Sequence, residues 1–257
     1  MATPRERAEA LYAARRDRVP IPPLTESEPE MTALDGYLTQ QELVRILLDG
    51  GDEIVGWKLG LTSRPMQELL GVFEPDYAPQ LRSQVVDDGA VLTVAEYIQP
   101  KVEAEIALVL GRPLRGPGVT LVDAARAVEG AVAAMELVDS RIADWRITLP
   151  DTIADLASAG SSILGSRLVP VDFDLRLTGM VMTRNGETVA TGAGAAALGN
   201  PVQAVAWLAN TLAPFDVTLE AGQFVMTGSL HAAFDVGPGD VVRADFDRLG
   251  SVRARFA

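Results

Sequence analysis

The period of apolar and polar positions changes along this chain near residue 53. Before it the pattern is helical: Ala8, Leu11 and Tyr12 share one face of residues 4–18 while arginines take the others. The proline-rich connector VPIPPLTESEPEM follows, and a second helix is expected from Thr39 to about Leu48, closing at Gly50-Gly51. Beyond residue 53 the signals are mostly β. Strands are expected at 54–59, 102–110, 131–138, 175–183, 188–191, 223–227, 241–246 and 252–256. Asn185-Gly186 is a hairpin turn between two of them, and Gly237-Pro238-Gly239-Asp240 is another turn. Helices interrupt at about 120–128, 151–158 and 201–212, the last with Asn200 as N-cap and Pro201 in its first position. Few βαβ repeats and strands of varied length predict an α+β chain, with a helical N-terminal portion over 1–52 and a β-rich portion over 53–257.

Composition narrows the function classes. With 48% hydrophobic and 22% charged residues the 257-residue chain reads as an ordinary globular protein. Its 22 Lys and Arg against 35 Asp and Glu give a formal charge of −13, and no basic patch is evident, which argues against nucleic-acid or anionic-membrane partners. The absence of cysteine removes disulfides, thiolate metal sites and cysteine nucleophiles, and fits a reducing, cytoplasmic setting. The N-terminus has no apolar core of a secretory signal, and Glu6, Glu9 and Asp17 argue against an organelle transit peptide. The uncharged run 188–215 is broken at Gly199-Asn200-Pro201, leaving about a dozen helical residues, too few for a membrane span of roughly 20.

The chemistry concentrates in QPKVEAEIALVLG, residues 99–111. Glu103 and Glu105 stand two apart at the start of an apolar strand, and alternation turns both to one side. In AVAAMELVDSR, Glu136 sits within a second apolar strand. Like charges beside apolar strands resist desolvation and need a cation. Two sources remain open: a hard divalent ion in an oxygen site, Mg²⁺ first with Mn²⁺ or Ca²⁺ as alternatives, or salt bridges to Lys101 and Arg141. Lys58, in the apolar strand of GWKLGLTS, either snorkels outward or, beside a carboxylate-bound metal, serves as proton carrier or anion clamp. The GxGxxA match at 192–197 lacks dinucleotide-fold context, because a hairpin precedes it and Gly199-Asn200-Pro201 stops the helix it needs. His231, the single histidine, has no GxSxG partner and reads as a pocket-rim or core residue. Adjacent same-face acids also do not flank a sugar from opposite sides, which sets a glycosidase reading aside.

Seven segments occur in an order that resembles one known group: GWKLGLTS, the PDYA of Pro75–Ala78, PKVEAEIALVL, ELVDSRIADW, LPDTIADLASAG, LGNPVQAVAWLAN and VMTGSL. Together they are similar to the 2-keto-4-pentenoate hydratase and 4-oxalocrotonate decarboxylase group of the fumarylacetoacetate hydrolase superfamily. The resemblance implies a fumarylacetoacetase-type mixed β roll, with a fumarylacetoacetase-like catalytic domain over 53–257, and a Mg²⁺ or Mn²⁺ site on Glu103, Glu105 and Glu136. It implies Lys58 and Asp76 as the polar groups over the substrate, and Leu156, Ser158, Thr227 and Ser229 as substrate-binding positions. The activity it implies is hydration of a 2-hydroxydienoate in aromatic meta-cleavage degradation. A decarboxylase of an oxalocrotonate-like diacid and an inactive metal-binding partner subunit are the alternatives. A homo-oligomer, and association with a pathway enzyme, are expected. Two positions depart from the group: Leu156 stands where it usually has Asn, and Ala78 where it usually has Gly. If Leu156 faces the pocket, it makes the wall more apolar and favours a monoacid.

Overall fold

The computed structural model describes residues 2–64, 67–68 and 71–257. Three helices come first: α1 (Pro4–Asp17), α2 (Leu24–Ser27) and α3 (Ala33–Asp49). Thr3 caps α1 in a box with Glu6, with Pro4 at the first helical position. Helix α3 starts six residues before the expected Thr39 because Thr32 and Asp35 close a second capping box.

The β elements form two sheets. The strands are β1 (Ile54–Gly60), β2 (Asp76–Leu81), β3 (Val85–Asp87), β4 (Val91–Leu92), β5 (Lys101–Leu110), β6 (Val128–Val138), β7 (Ala159–Leu164), β8 (Gly179–Arg184), β9 (Glu187–Ala193), β10 (Phe224–Ser229), β11 (Phe234–Asp235), β12 (Val241–Phe246) and β13 (Gly250–Phe256). Helices α4 (Leu121–Ala127), α5 (Leu149–Ala154) and α6 (Pro201–Leu212) lie between them. The larger sheet runs β2-β1-β10-β5-β6-β7-β3, with β11 also pairing β5; the smaller runs β4-β13-β12-β8-β9. Both contain parallel and antiparallel pairs, so the sheets are mixed.

Two expectations are corrected by local turns. Residues 175–177 form a 3₁₀ turn capped by Asp174, and the strand begins only at Gly179. The helix expected to 158 ends at Ala154, followed by a turn in which Leu156, Ala157 and Ser158 all have positive φ (54°, 48° and 55°).

Burial explains why the larger sheet can carry polar chemistry at its centre. Strands β5 and β6 are buried along nearly their whole length, with Val102, Ala104, Ile106 and Leu108 of β5 fully buried. Helix α6 packs on β10 and β5 through its apolar side, and Val205 and Leu208 join their cluster. A separate cluster joins Leu11 of α1 and Leu43 of α3 to Ile142 and Leu156. That second cluster braces the 156–158 turn.

Candidate active site

Strand register brings the three glutamates together. Glu103 of β5 lies directly opposite Glu136 of β6, and Glu105 lies two residues along β5 on the same side. Ligand atoms from all three carboxylates lie within 4.8 Å of one another. Glu105 and Glu136 are buried, while Glu103 is half-buried and lines a cavity of about 710 Å³.

The cations invoked for salt bridges are engaged elsewhere. Lys101 pairs with Asp235 (3.6 Å) and lies 5.3 Å above the Trp145 ring, and the Arg141 guanidinium grips Asp155. Lys58 instead supplies the local positive charge, with Nζ 2.9 Å from Glu136 Oε1. Its hydrogen bond goes to the Ala157 carbonyl (2.7 Å). One ammonium thus faces Glu103, Glu105, Glu136 and Asp76. Among the described residues, Glu105 Oε1 and Glu136 Oε2 are buried with neither a hydrogen bond nor an ion pair, and Glu136 Oε1 has only Lys58. Buried carboxylate oxygens left open in this way carry a desolvation cost that a coordinated cation would remove. An all-oxygen set suits a hard divalent ion, so the residues fit the expected metal.

Two of the acids are held by specific devices. Glu105 Oε2 accepts a hydrogen bond from Gly228 N–H (2.8 Å). Gly228 has φ +106°, and a Cβ there would lie 1.9 Å from Thr62 Oγ1, so only glycine lets β10 turn its amide inward at the irregularity between Met226 and Ser229. Asp76 pairs with Gly60 across β1 and β2, where a Cβ on Gly60 would lie 2.2 Å from Asp76 Oδ1. The missing side chain makes room for the carboxylate.

Electrostatics follow from this crowding. Burial, then the charge of Glu136, raises Asp76 to about 6 against the pull of Lys58. Burial and Glu136 likewise push Glu103 up to about 7, and Glu105 is raised by burial, Glu136 and Glu103. Burial alone would lower Lys58, but Glu136, Asp76, Glu105 and Glu103 together raise it.

The other expected positions divide. Lys58, Asp76, Glu103, Ser158 and Ser229 line the cavity; Ser229 Oγ donates to the His231 carbonyl. Thr227 is fully buried and its hydroxyl donates to the Ile106 carbonyl (2.9 Å), so it ties β10 to β5 instead of lining the cavity. Leu156 as a cavity-wall residue is corrected. Its side chain is fully buried among Leu11, Leu43 and Ile142, and the residues from that turn that line the cavity are Ala157 and Ser158. Leucine is disfavoured at positive φ, so packing holds a turn that aims the Ala157 carbonyl at Lys58. Sequence reasoning missed Lys101, Trp145 and Thr62 as lining residues. Lys101 was findable, since it shares a strand face with Glu103.

Comparison with known proteins places these features in a family. A family model described as fumarylacetoacetate hydrolase C-terminal matches residues 58–257. A 2-keto-4-pentenoate hydratase of Paraburkholderia xenovorans strain LB400 is 43% identical over 258 residues, covering 99% of this chain and 96% of the relative. A 4-oxalocrotonate decarboxylase of Pseudomonas putida is 42% identical over 250 residues, covering 97% and 95%. The solved 4-oxalocrotonate decarboxylase from Pseudomonas putida G7, complexed with magnesium and adipate, superposes with a TM-score of 0.96 at 40% identity, covering 99% of this chain and 97% of that one.

Proposed function

The chain belongs to the fumarylacetoacetate hydrolase family, and we propose that it is a metal-dependent hydro-lyase adding water to a 2-hydroxypenta-2,4-dienoate-type substrate to give a 4-hydroxy-2-oxo acid. The observation that carries this reading is the trio of carboxylates within 4.8 Å, with open oxygens, of which Glu103 lines a cavity that also holds Lys58 and Asp76. Full-length relatives named hydratases support it. Glu103, Glu105 and Glu136 would hold a divalent cation, Mg²⁺ or Mn²⁺, which supplies Lewis-acid stabilisation of negative charge developing on a bound 2-oxo acid.

The chain's own groups do the rest. Lys58, held as ammonium by the surrounding acids, offsets the charge of an anionic substrate and can donate a hydrogen bond to it. Asp76, raised to about 6, is poised to take and return a proton near neutral pH, as protonation of the dienol's far end and addition of water at C4 require. Leu59, Val138 and Leu230 give the cavity an apolar side for the vinyl end. Acting on such a substrate, the protein would serve aromatic meta-cleavage degradation, and a cytoplasmic homo-oligomer is the setting we propose.

A second reading has its own support. Lys101 lines the cavity and could meet a distal carboxylate, as decarboxylation of an oxalocrotonate-like diacid would need. Product analysis separates the two. NMR of the reaction with 2-hydroxypenta-2,4-dienoate should show 4-hydroxy-2-oxopentanoate, whereas stoichiometric CO₂ from 4-oxalocrotonate would favour the decarboxylase.

A further inference from the structure

His231 occupies a gap in the backbone ladder that lies between two of the proposed metal ligands. On one edge β5 is paired without interruption through this region by β6, where Val102 to Glu105 face Leu137 to Ala134. On the other edge its partner changes. Strand β10 pairs as far as Ser229 opposite Glu105, the Leu230 N–H donates to the Ala104 carbonyl, and β11 resumes with Phe234 opposite Val102. The Ala104 N–H falls between the two and has no backbone acceptor from either strand. It donates instead to His231 Nε2 at 2.9 Å.

The imidazole is fully committed by its neighbours. Because Nε2 accepts from a backbone N–H, it carries no proton. Nδ1, 2.7 Å from the Ala232 carbonyl, must then hold the proton and donate it. Neither nitrogen retains a free lone pair for proton abstraction, although the ring lines the cavity. The ring is further fixed by Phe234, with centroids 5.9 Å apart, and its loop by the hydrogen bond from Ser229 Oγ to the His231 carbonyl.

We propose that His231 is a positioning residue for the cation site: its Nε2 replaces a missing strand carbonyl, keeps β5 extended at Ala104, and so sets the spacing of the Glu103 and Glu105 carboxylates. The inference rests on the metal reading given above. A buried N–H that loses its acceptor recruits water or rotates its peptide plane. Rotation of the planes around residue 104 would turn Glu103 or Glu105 off the shared face on which both ligands depend.

The test compares the parent with His231→Leu, which removes the acceptor, and His231→Gln, whose amide oxygen extends to about the reach of Nε2. Magnesium titration by calorimetry gives the affinity, hydrogen exchange of the Ala104 amide in chelator-treated protein reports the local bond, and thermal unfolding checks the fold. We expect His231→Leu to bind Mg²⁺ at least tenfold more weakly and to lose Ala104 protection, while His231→Gln stays within about threefold of the parent on both. Parent-like affinity in a folded His231→Leu overturns the proposal, as does an Ala104 amide that stays protected without the ring. If His231→Leu does not fold, a His231→Gln variant that folds yet loses affinity as severely as Glu136→Gln overturns it. A parent that takes up no Mg²⁺ or Mn²⁺ defeats the metal reading itself, and with it this role, before any variant is compared.

Discussion

Replacing Lys58 by Met removes the ammonium that four buried or half-buried acids share while keeping most of the side chain's volume. At 2.9 Å from Glu136 and an effective dielectric of ~20, the pair attraction is about 6 kcal/mol. Much of that is offset because Lys58 is itself buried, and breaking a buried ion pair from one side typically costs about 3–5 kcal/mol. That is a large share of the roughly 5–15 kcal/mol by which domains are stable. The cost depends on pH with a definite sign. Asp76 and Glu103 are raised in the folded protein to about 6 and about 7, so the stability they contribute is fully present below their unfolded values near 4 and is lost as pH rises through 6 and 7. Lys58 lowers both, so its removal deepens the loss on the alkaline side. Urea unfolding of chelator-treated protein should therefore show a deficit of about 3–5 kcal/mol for Lys58→Met at pH 8 and a smaller one at pH 5. Divalent cation at a hundred times its Kd should return about 2.7 kcal/mol to any form that binds it. Equal midpoints and slopes for parent and variant at pH 8, or a deficit that does not change with pH, would refute the reasoning.

Glu103→Gln and Glu105→Gln should abolish divalent-ion binding in calorimetry yet raise the thermal midpoint of chelator-treated protein at pH 8, since each removes a repelling charge; binding at parental affinity would overturn the ligand assignment. Glu136→Gln should also lose the ion but without gaining stability, because Glu136 is the partner of Lys58. Leu156→Asn suits the left-handed backbone but buries an amide in an apolar cluster, so a loss of about 1–3 kcal/mol in chemical unfolding is expected, with the ranking of substrates unchanged; a shifted ranking would return residue 156 to the cavity wall. Lys101→Met should lower kcat/KM for a diacid analogue more than for the monoacid, and equal losses would deny Lys101 any contact with a distal carboxylate.

What could be read from the sequence depended on how strongly each segment's pattern reported its surroundings. Helix 201–212 was legible to the residue because Asn200 and Pro201 mark its start and its apolar face is continuous. The carboxylate pair of β5 was legible because two-residue alternation fixes their common face, and Glu136 because it interrupts an apolar run. Strand β2, DYAPQL, was not. All six of its residues are buried, so no alternation survives, and Pro79 conceals a strand that tolerates it only by pairing on one edge. The turn at Leu156 was misjudged because nothing local announces three consecutive positive φ values; α1 and α3, more than a hundred residues earlier, hold it in place. The same holds for His231, whose role depends on where two strands happen to stop. Lys101 and Arg141 were the natural partners for the glutamates by proximity in sequence, yet tertiary packing gave them to Asp235 and Asp155 and left Lys58 to face the acids.

Hydratase activity of this chain should depend on a cation held by the buried carboxylates. Its most direct test is the ultraviolet absorbance of 2-hydroxypenta-2,4-dienoate incubated with chelator-treated protein, then with Mg²⁺ or Mn²⁺ restored, in the parent and in Glu105→Gln. No enzymic loss of the conjugated absorbance is expected in chelator, with rapid loss on adding the cation to the parent but not to the variant, and no release of CO₂. Cation-independent loss, equal rates in Glu105→Gln, or no loss at all with either metal would contradict it.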